Sequence, residues 1–308
     1  MRRTLCISVD LDPLACYRRI YGLPLLDPPA GGDPVLVRAL PRACDLLDRL
    51  GATGTFFAVG DSPAAPAAAA ALAAAARRGH EIGNHTWSHP YDLTRLDEEA
   101  IDAQVRRGAE AIQQACGAWP RGFRAPGYLL GPRVLPRLAD AGVAYDASAL
   151  PSPLYQGVKA AAVLALRSLG KSSRAVLGDP REALGPAGPY RPDLRRPWRR
   201  GRAPLWELPI SAPAGLPLTG ALLALAGARG ARLLAALAAR RRWVHLELHG
   251  VDLLDLRTDG LDPALGVQAD LRVGWEKKRE AIGGFIASVA RTHRIVTLAQ
   301  VAGEQGDR

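Results

Sequence analysis

The feature that most constrains this chain is an alternation of short apolar segments with longer helical ones. Thr4–Val9 and Gly54–Gly60 are short, apolar and rich in strand formers, which predicts buried strands. Val35–Leu50 and the alanine-rich run Ser62–Arg78 have helical patterns between them. Because parallel strands are usually joined through a helix, the alternation predicts a parallel sheet. About seven such units predict a single α/β domain over residues 1–308, built as a (β/α)7 barrel.

Acidic, basic and imidazole side chains recur where the predicted strands end. In such barrels the chemistry takes place at the carboxyl ends of the strands, so these side chains are candidates for one site. They are Asp10, Asp12, His85, His89, Arg124, Asp146 and His249.

Two histidines four residues apart, His85 and His89, are close enough to bind one metal ion. Such a pair taken alone is more often a surface or core feature, and Asp12 taken alone is as often a turn cap. Together the three would supply one carboxylate and two imidazoles, a set that leaves positions open for water and substrate. This predicts a catalytic divalent metal, with zinc expected and cobalt, nickel or iron also compatible.

The remaining strand-end residues suit acid–base chemistry around that metal. Asp10 is placed to act as general base, and Arg124 to pair with it, although a purely structural ion pair fits Arg124 equally well. His249 is placed to protonate a leaving amine, and Asp146 to orient it. A base, an acid and a metal on one rim predict metal-assisted hydrolysis of an amide or ester.

The ordered set resembles the polysaccharide deacetylases, the NodB-homology fold of carbohydrate esterase family four. The second motif of that family, His-Ser/Thr-x-x-His, is matched in full, and Gly54-Thr55-Phe56-Phe57 resembles the strand after its first motif. The segments that match the five motifs are Ser8-Val9-Asp10-Leu11-Asp12, His85-Thr86-Trp87-Ser88-His89, Arg124-Ala125-Pro126-Gly127, Asp146-Ala147-Ser148 and Leu246-Glu247-Leu248-His249.

The resemblance implies a distorted (β/α) barrel and a metal-dependent deacetylase. It implies that Asp10 is the base, that His249 is the acid, and that Asp12 and the two motif histidines bind the metal. It also implies that the backbone N–H of Gly127 helps to hold the oxyanion. Two departures bear on the substrate, since Leu11 separates the two acids and Gly127 stands where tyrosine is usual.

The Asp-x-Asp form, together with Arg-Ala-Pro-Gly-Tyr, is similar to deformylases of lipid-linked aminosugars. We therefore expect removal of an N-acetyl or N-formyl group from an aminosugar, with a polyprenyl-phosphate-linked or cell-envelope precursor as the expected form. Two alternatives stay open. One is a non-catalytic glycan or membrane-surface module on the same fold, and the other is a hydrolase of small amides.

Charge and apolar segments predict the location of the protein in the cell. Residues 148–203 form a Pro- and Arg-rich insertion, and eleven Lys and Arg face three acids between Lys159 and Arg202. The insertion is either a solvated loop or, together with apolar helical faces up to residue 240, a peripheral contact with an acidic membrane. No nucleic-acid motif accompanies the arginines. Asp10 and Asp12 break the apolar run of a signal peptide, so we expect a cytoplasmic protein, peripheral on the inner membrane face.

Overall fold

The computed structural model describes residues 3–27, 29, 31–168 and 178–306. Strands and helices alternate along them, and the predicted parallel α/β barrel is confirmed. The strands are β1 Thr4–Leu11, β2 Thr55–Ala58, β3 Glu81–Asn84, β4 Gly122–Phe123, β5 Tyr145–Asp146, β6 Pro192–Asp193, β7 Arg196–Arg200, β8 Trp206–Glu207, β9 Trp243–His249 and β10 Arg294–Ile295. The helices are α1 Leu14–Ile20, α2 Leu40–Asp48, α3 Pro66–Arg77, α4 Glu98–Cys116, α5 Val134–Asp140, α6 Pro153–Ser168, α7 Gly220–Ala238, α8 Trp275–Ala290 and α9 Leu298–Gly306.

The central strand β1 is buried along its whole length, as expected of a strand covered on both faces. On one edge it pairs with β9 from Thr4 to Asp10. On the other edge β10 pairs with the start of β1, and β2 pairs with its end. The eight strands of this sheet, counted over the described ranges, therefore occupy seven positions around a curled barrel.

The two ends of the curled sheet approach each other through the chain that follows β8. Ser211 N donates to the carbonyl of His245, and Glu247 N donates to the carbonyl of Leu218. The parallel order β9-β1-β2-β3-β4-β5-β8 follows from the pairings. All carboxyl strand ends therefore point to the same mouth.

Two predictions of local structure were wrong. The Pro and Gly clusters between residues 14 and 34 predict a loop, but Leu14–Ile20 is a helix that buries Cys16 and Tyr17. Ser62 was predicted to cap the alanine-rich helix, yet the chain makes a short 3-10 turn there and α3 begins at Pro66. Ala65 is extended, and the residue before a proline prefers that conformation, so the second proline decides where the helix starts.

The predicted insertion is more ordered than a solvated loop. It begins with α6 and ends with β6 and β7, which pair antiparallel, and residues 169–177 lie outside the described part. The Tyr155 ring on α6 packs edge-on against Tyr128, with ring centroids 5.8 Å apart. The insertion therefore contacts the strand-end loops.

Helix α7 is long and apolar enough to cross a membrane by length and composition. Such a helix is weak evidence for a span, because core helices pass the same test. Leu223, Ala231 and Leu234 on α7 are buried, and they belong to the same hydrophobic cluster as Ile282 and Phe285 of α8. This face of α7 is therefore part of the protein core.

Candidate metal centre and active site

The candidate metal ligands Asp12, His85 and His89 come together at the mouth of the barrel. Asp12 follows β1, and the two histidines follow β3. Asp12 Oδ1 lies 3.1 Å from His85 Nε2 and 3.3 Å from His89 Nε2. All three residues are buried, and one ligand atom of each lies within 4.8 Å of the others. A single cation could bind all three.

The loop that carries the histidines is held in an unusual backbone conformation. Thr86 has φ of 67° and His89 has φ of 56°, values that non-glycine residues rarely adopt. Thr86 Oγ1 accepts a hydrogen bond from His89 N. Behind this loop, Gly108 of α4 lies so close that a Cβ on it would come within 2.4 Å of Asn84 Oδ1. The tight helix packing supports the conformation that brings the two imidazoles together.

The unsatisfied polar atoms of this cluster fit a bound cation. Within the described chain, Asp12 Oδ1 and both ring nitrogens of His89 are buried without a hydrogen-bond partner. His85 Nδ1 instead donates to the carbonyl of Arg124 at 2.7 Å, which leaves Nε2 free to bind a metal. Buried polar atoms without partners are costly, and a metal would satisfy them.

The charges within the cluster are strongly coupled. Burial alone raises the pKa of Asp12, but the two histidines outweigh it and hold that pKa well below its usual value. Burial lowers the pKa of His89, yet the charges of Asp12 and Cys16 raise it to about 9. The negative charge of Asp12 therefore favours positive charge beside it, as a cation site requires.

Asp10, the candidate base, is compensated by the protein itself. Its Oδ1 accepts a hydrogen bond from Arg124 Nη1 at 2.6 Å, and both side chains are buried. Arg124 also donates to the carbonyl of Ala147 and stacks on Phe57, so its guanidinium is fixed in place. The predicted pairing of Arg124 with Asp10 is present in the structure.

His245 supports Arg124 from beneath. Its Nδ1 faces the carbonyl of Leu208 at 3.1 Å, so Nε2 accepts from Ser8 Oγ at 2.8 Å and from Arg124 Nη2 at 3.2 Å. Burial and the neighbouring guanidinium lower the pKa of His245 to about 3. This imidazole is therefore neutral near pH 7.

The predicted partner of His249 was wrong. Asp146 accepts from the N–H and the hydroxyl of Ser148, at 3.0 and 2.8 Å, and these bonds hold it on β5. His249 Nδ1 lies instead 3.1 Å from Glu247 Oε1. Burial raises the pKa of Glu247 to about 7. Burial lowers the pKa of His249, but the negative charge of Glu247 outweighs this effect and the pKa of His249 rises to about 10.

The Gly127 segment reaches the site through its neighbour. Gly127 has φ of 66° and Tyr128 has φ of 61°, and this sharp turn sends the tyrosine side chain inward. Tyr128 Oη lies 3.4 Å from His249 Nε2, and Tyr128 is buried. Lys159 of α6 donates to the Gly127 carbonyl at 3.2 Å. The insertion thus contacts the turn at Gly127, whose N–H is expected to help hold the oxyanion.

Comparison with known proteins gives a match over part of the chain. Residues 32–145 match the family model described as polysaccharide deacetylase. Over these residues the chain is similar to that family. A chitooligosaccharide deacetylase of Bradyrhizobium is 36% identical over 105 residues, which cover 34% of this chain and 47% of that protein. The chain spans about half the length of the curated relatives it matches first.

Solved structures show the same fold over nearly the whole chain. A structure described as a putative polysaccharide deacetylase from Mycobacterium smegmatis covers 98% of this chain and 90% of its own, with a TM-score of 0.61 and 19% identity. A CE4 family pseudoenzyme from Bacillus anthracis covers 98% of this chain and 66% of its own, with a TM-score of 0.51 and 10% identity. These likenesses establish the barrel but not the chemistry.

Sequence reasoning missed Glu247, which is fully buried beside His249. A signal for it was present, because side chains two apart on a strand share a face. His245, Glu247 and His249 are spaced in this way along β9, so all three point into the barrel.

Proposed function

We propose that this protein is a metal-dependent N-deacylase that removes an acetyl or formyl group from an aminosugar. The observation that carries the proposal is the convergence of Asp12, His85 and His89, with unsatisfied buried ligand atoms, next to an ion-paired Asp10. The family match supports hydrolysis of an N-acyl bond. The cation expected there is zinc, although cobalt, nickel and iron suit the same ligands.

Each residue of the site has a task in this reaction. A divalent cation held by Asp12, His85 and His89 would polarise the acyl carbonyl and make water more acidic. Asp10 takes the proton of the attacking water, and Arg124 holds the Asp10 carboxylate in place. The N–H of Gly127 stabilises the negative charge on the acyl oxygen. His249 gives a proton to the leaving nitrogen as the C–N bond breaks.

A cavity beside the metal ligands suits the rest of the substrate. It measures about 500 Å³ and is not lined by the candidate ligands themselves. It adjoins them through Ser88, which precedes His89 in the chain, and through Cys16, which interacts with His89. Arg19 and Asp61 lie on its walls as well. This volume lies within the range of small-molecule sites and would hold a sugar with part of its linked group.

The decisive experiment is a hydrolysis screen of N-acetyl and N-formyl aminosugars, free and polyprenyl-linked, with and without added zinc. We expect zinc-dependent release of acetate or formate. Asp10→Asn should keep the metal and lose roughly 100- to 10,000-fold in kcat, as expected on losing a general base. Glu110→Gln, an exposed change on α4, is the matched control. Hydrolysis by Asp10→Asn at the wild-type rate would refute the proposal.

The same screen decides between catalysis and the two alternatives. Stoichiometric sugar binding without turnover in zinc-loaded protein would favour a non-catalytic module. The Bacillus anthracis protein, which is described as a pseudoenzyme, has the same fold. Turnover of small amides with no turnover of aminosugars would favour a small-amide hydrolase.

Peripheral membrane contact through residues 148–240, at the cytoplasmic face, is the proposed location. Three apolar side chains of α6 are exposed, Leu154, Val158 and Leu164, at 51%, 62% and 61%. They lie in the same insertion as the basic excess, and apolar side chains beside basic ones are the combination that adsorbs to anionic lipid. Together they would bring a lipid-linked sugar to the barrel mouth.

Sedimentation with vesicles tests this location. Wild-type protein should bind vesicles rich in phosphatidylglycerol and not neutral ones, and Val158→Ser with Leu164→Ser should weaken binding. Val267→Ser, an exposed apolar position outside the insertion, is the control. Equal binding by the double variant would remove the proposed membrane surface and leave the hydrolysis proposal intact.

A further inference from the structure

The inward face of β9 carries three ionisable side chains in alternation, and the middle one is Glu247. In the register of the sheet, Glu247 lies beside Ser8 and His249 lies beside Asp10. Glu247 is 0% exposed, whereas 27% of the His249 side chain remains accessible at the mouth. The carboxylate therefore lies behind the imidazole as seen from the substrate side.

The two nitrogens of His249 face different surroundings. Nδ1 lies 3.1 Å from Glu247 Oε1. Nε2 lies 3.4 Å from Tyr128 Oη and 3.9 Å from Asp12 Oδ2, so it faces the candidate metal centre. One end of the ring is thus close to a carboxylate, and the other end is presented where a leaving nitrogen would lie.

His249 contributes most to the compensation of Glu247, with smaller contributions from Arg124 and Tyr128. Over the residues that the structure describes, neither of its oxygens has a hydrogen bond of ordinary geometry. A buried carboxylate with no hydrogen bonds is costly unless a positive group pairs with it. Nδ1 of His249 is within ion-pair distance of Glu247. Asp146 accepts instead from Ser148.

We propose that Glu247 is the positioning residue for His249 in the hydrolysis. This rests on the proposed function. Glu247 holds the proton on Nδ1 and fixes the ring so that Nε2 points at the scissile nitrogen. When the C–N bond breaks, its electron pair goes to nitrogen, and nitrogen takes the proton from Nε2. The carboxylate stabilises the imidazolium before transfer and is not itself protonated, as in carboxylate–histidine pairs of other hydrolases.

A second cation held by Asp10, Glu247 and His249 is the competing interpretation, since their ligand atoms also lie within 4.8 Å of one another. Charge argues against it. One divalent cation and Arg124 already balance the three carboxylates of the mouth, and another cation would leave an excess positive charge in a buried site. Arg124 also occupies Oδ1 of Asp10.

Leaving-group dependence separates positioning from a structural role. An amide needs its leaving nitrogen protonated, whereas 4-nitrophenyl acetate has a leaving group that needs no proton. Glu247→Gln should lower kcat for the N-acyl aminosugar roughly 10- to 100-fold. It should lower kcat for the aryl ester by less than about threefold. Equal losses on both substrates, or no loss on the amide, would overturn the inference.

A double-mutant cycle and a metal count complete the test. If Glu247 acts through His249, the double variant Glu247→Gln/His249→Gln should be no slower on the amide than His249→Gln alone. Multiplying losses would overturn the inference, and so would two metal ions per chain in wild type falling to one in Glu247→Gln. Glu247→Asp should recover part of the amide rate.

A spectroscopic readout keeps the inference testable without turnover. In wild-type protein the ¹⁵N signals of His249 should show a protonated Nδ1, and Glu247→Gln should shift them while circular dichroism stays unchanged. An unshifted Nδ1 signal would overturn the inference. A wild-type protein that hydrolyses neither substrate would instead count against the proposed function, and the ¹⁵N result would still decide the role of Glu247.

Discussion

Asp10 and Asp12 lie two residues apart at the end of the same strand, and their surroundings are opposite. Asp10 has an ion-pair partner within the protein, because Arg124 donates to it at 2.6 Å. Arg124 is itself held by three further contacts. Asp12 faces His85 and His89, and its Oδ1 has no hydrogen bond among the described residues. Both carboxylates are buried, at 1% and 5% exposure.

The difference shows how one strand end serves two chemical tasks. A carboxylate paired with a fixed guanidinium has its partner without any ligand, and its second oxygen can serve as a base. A carboxylate that faces imidazole nitrogens without hydrogen-bond partners needs an added cation to bind these atoms, which suits a metal site. The Asp10 side is therefore expected to depend on protein contacts, and the Asp12 side on a cation.

The largest expected effect is on the Asp12 side. Asp12→Ala removes the carboxylate that both imidazoles face, so we expect loss of the metal and a fall in kcat/KM of about 1,000-fold or more, since metal stabilisation is worth several kcal/mol. Metal analysis and the aminosugar assay measure the two effects. Circular dichroism should be unchanged, and a variant that keeps stoichiometric zinc would contradict the assignment of Asp12 as a ligand.

The Asp10 side should respond in stability instead. Arg124→Leu leaves a buried carboxylate without its partner, and we expect a loss of about 3–5 kcal/mol in the free energy of unfolding by urea. Arg137→Leu is the matched control. Its ion pair with Asp102 is partly exposed, and its loss should cost much less than the loss of the buried pair. Similar losses for the two variants would break the comparison.

Metal removal should affect only one side. Zinc at 100 times its Kd should stabilise the folded protein by about 2.7 kcal/mol, measured as a rise in Tm over chelator-treated protein. Asp12→Ala should abolish this rise, because its site no longer binds zinc. The zinc-dependent rise should persist in Asp10→Asn, and its loss there would mean that both carboxylates bind the metal.

The smallest effect concerns the helix behind the histidine loop. Gly108→Ala places a Cβ 2.4 Å from Asn84 Oδ1, so we expect about 1–3 kcal/mol of destabilisation and weaker zinc binding. Gly284→Ala in α8 meets open space and should be neutral or stabilise by up to about 1 kcal/mol. Unchanged zinc affinity in Gly108→Ala would show that the loop does not depend on this packing.

The sequence predicted the barrel and most of the site for one reason. Buried parallel strands are short continuous apolar runs, and polar residues directly after them must gather at one edge. Thus Asp12, His85 and Arg124 could be placed together without coordinates. The start of α3 was missed, because Ser62-Pro63 and Pro66 offer competing start signals and only the extended Ala65 decides between them.

The sequence by itself determined the parallel α/β order, the histidine pair and the acids at the end of β1, because these follow from local periodicity and spacing. Only the tertiary structure decided which groups compensate one another. In the structure His249 contacts Glu247, whereas Asp146 accepts from Ser148. Helix α6 of the insertion packs against Tyr128. The alternation along β9 places Glu247 and His249 on one face, but the choice of Glu247 over Asp146 and the contact of α6 with Tyr128 depend on how distant parts of the chain pack, which no local pattern encodes.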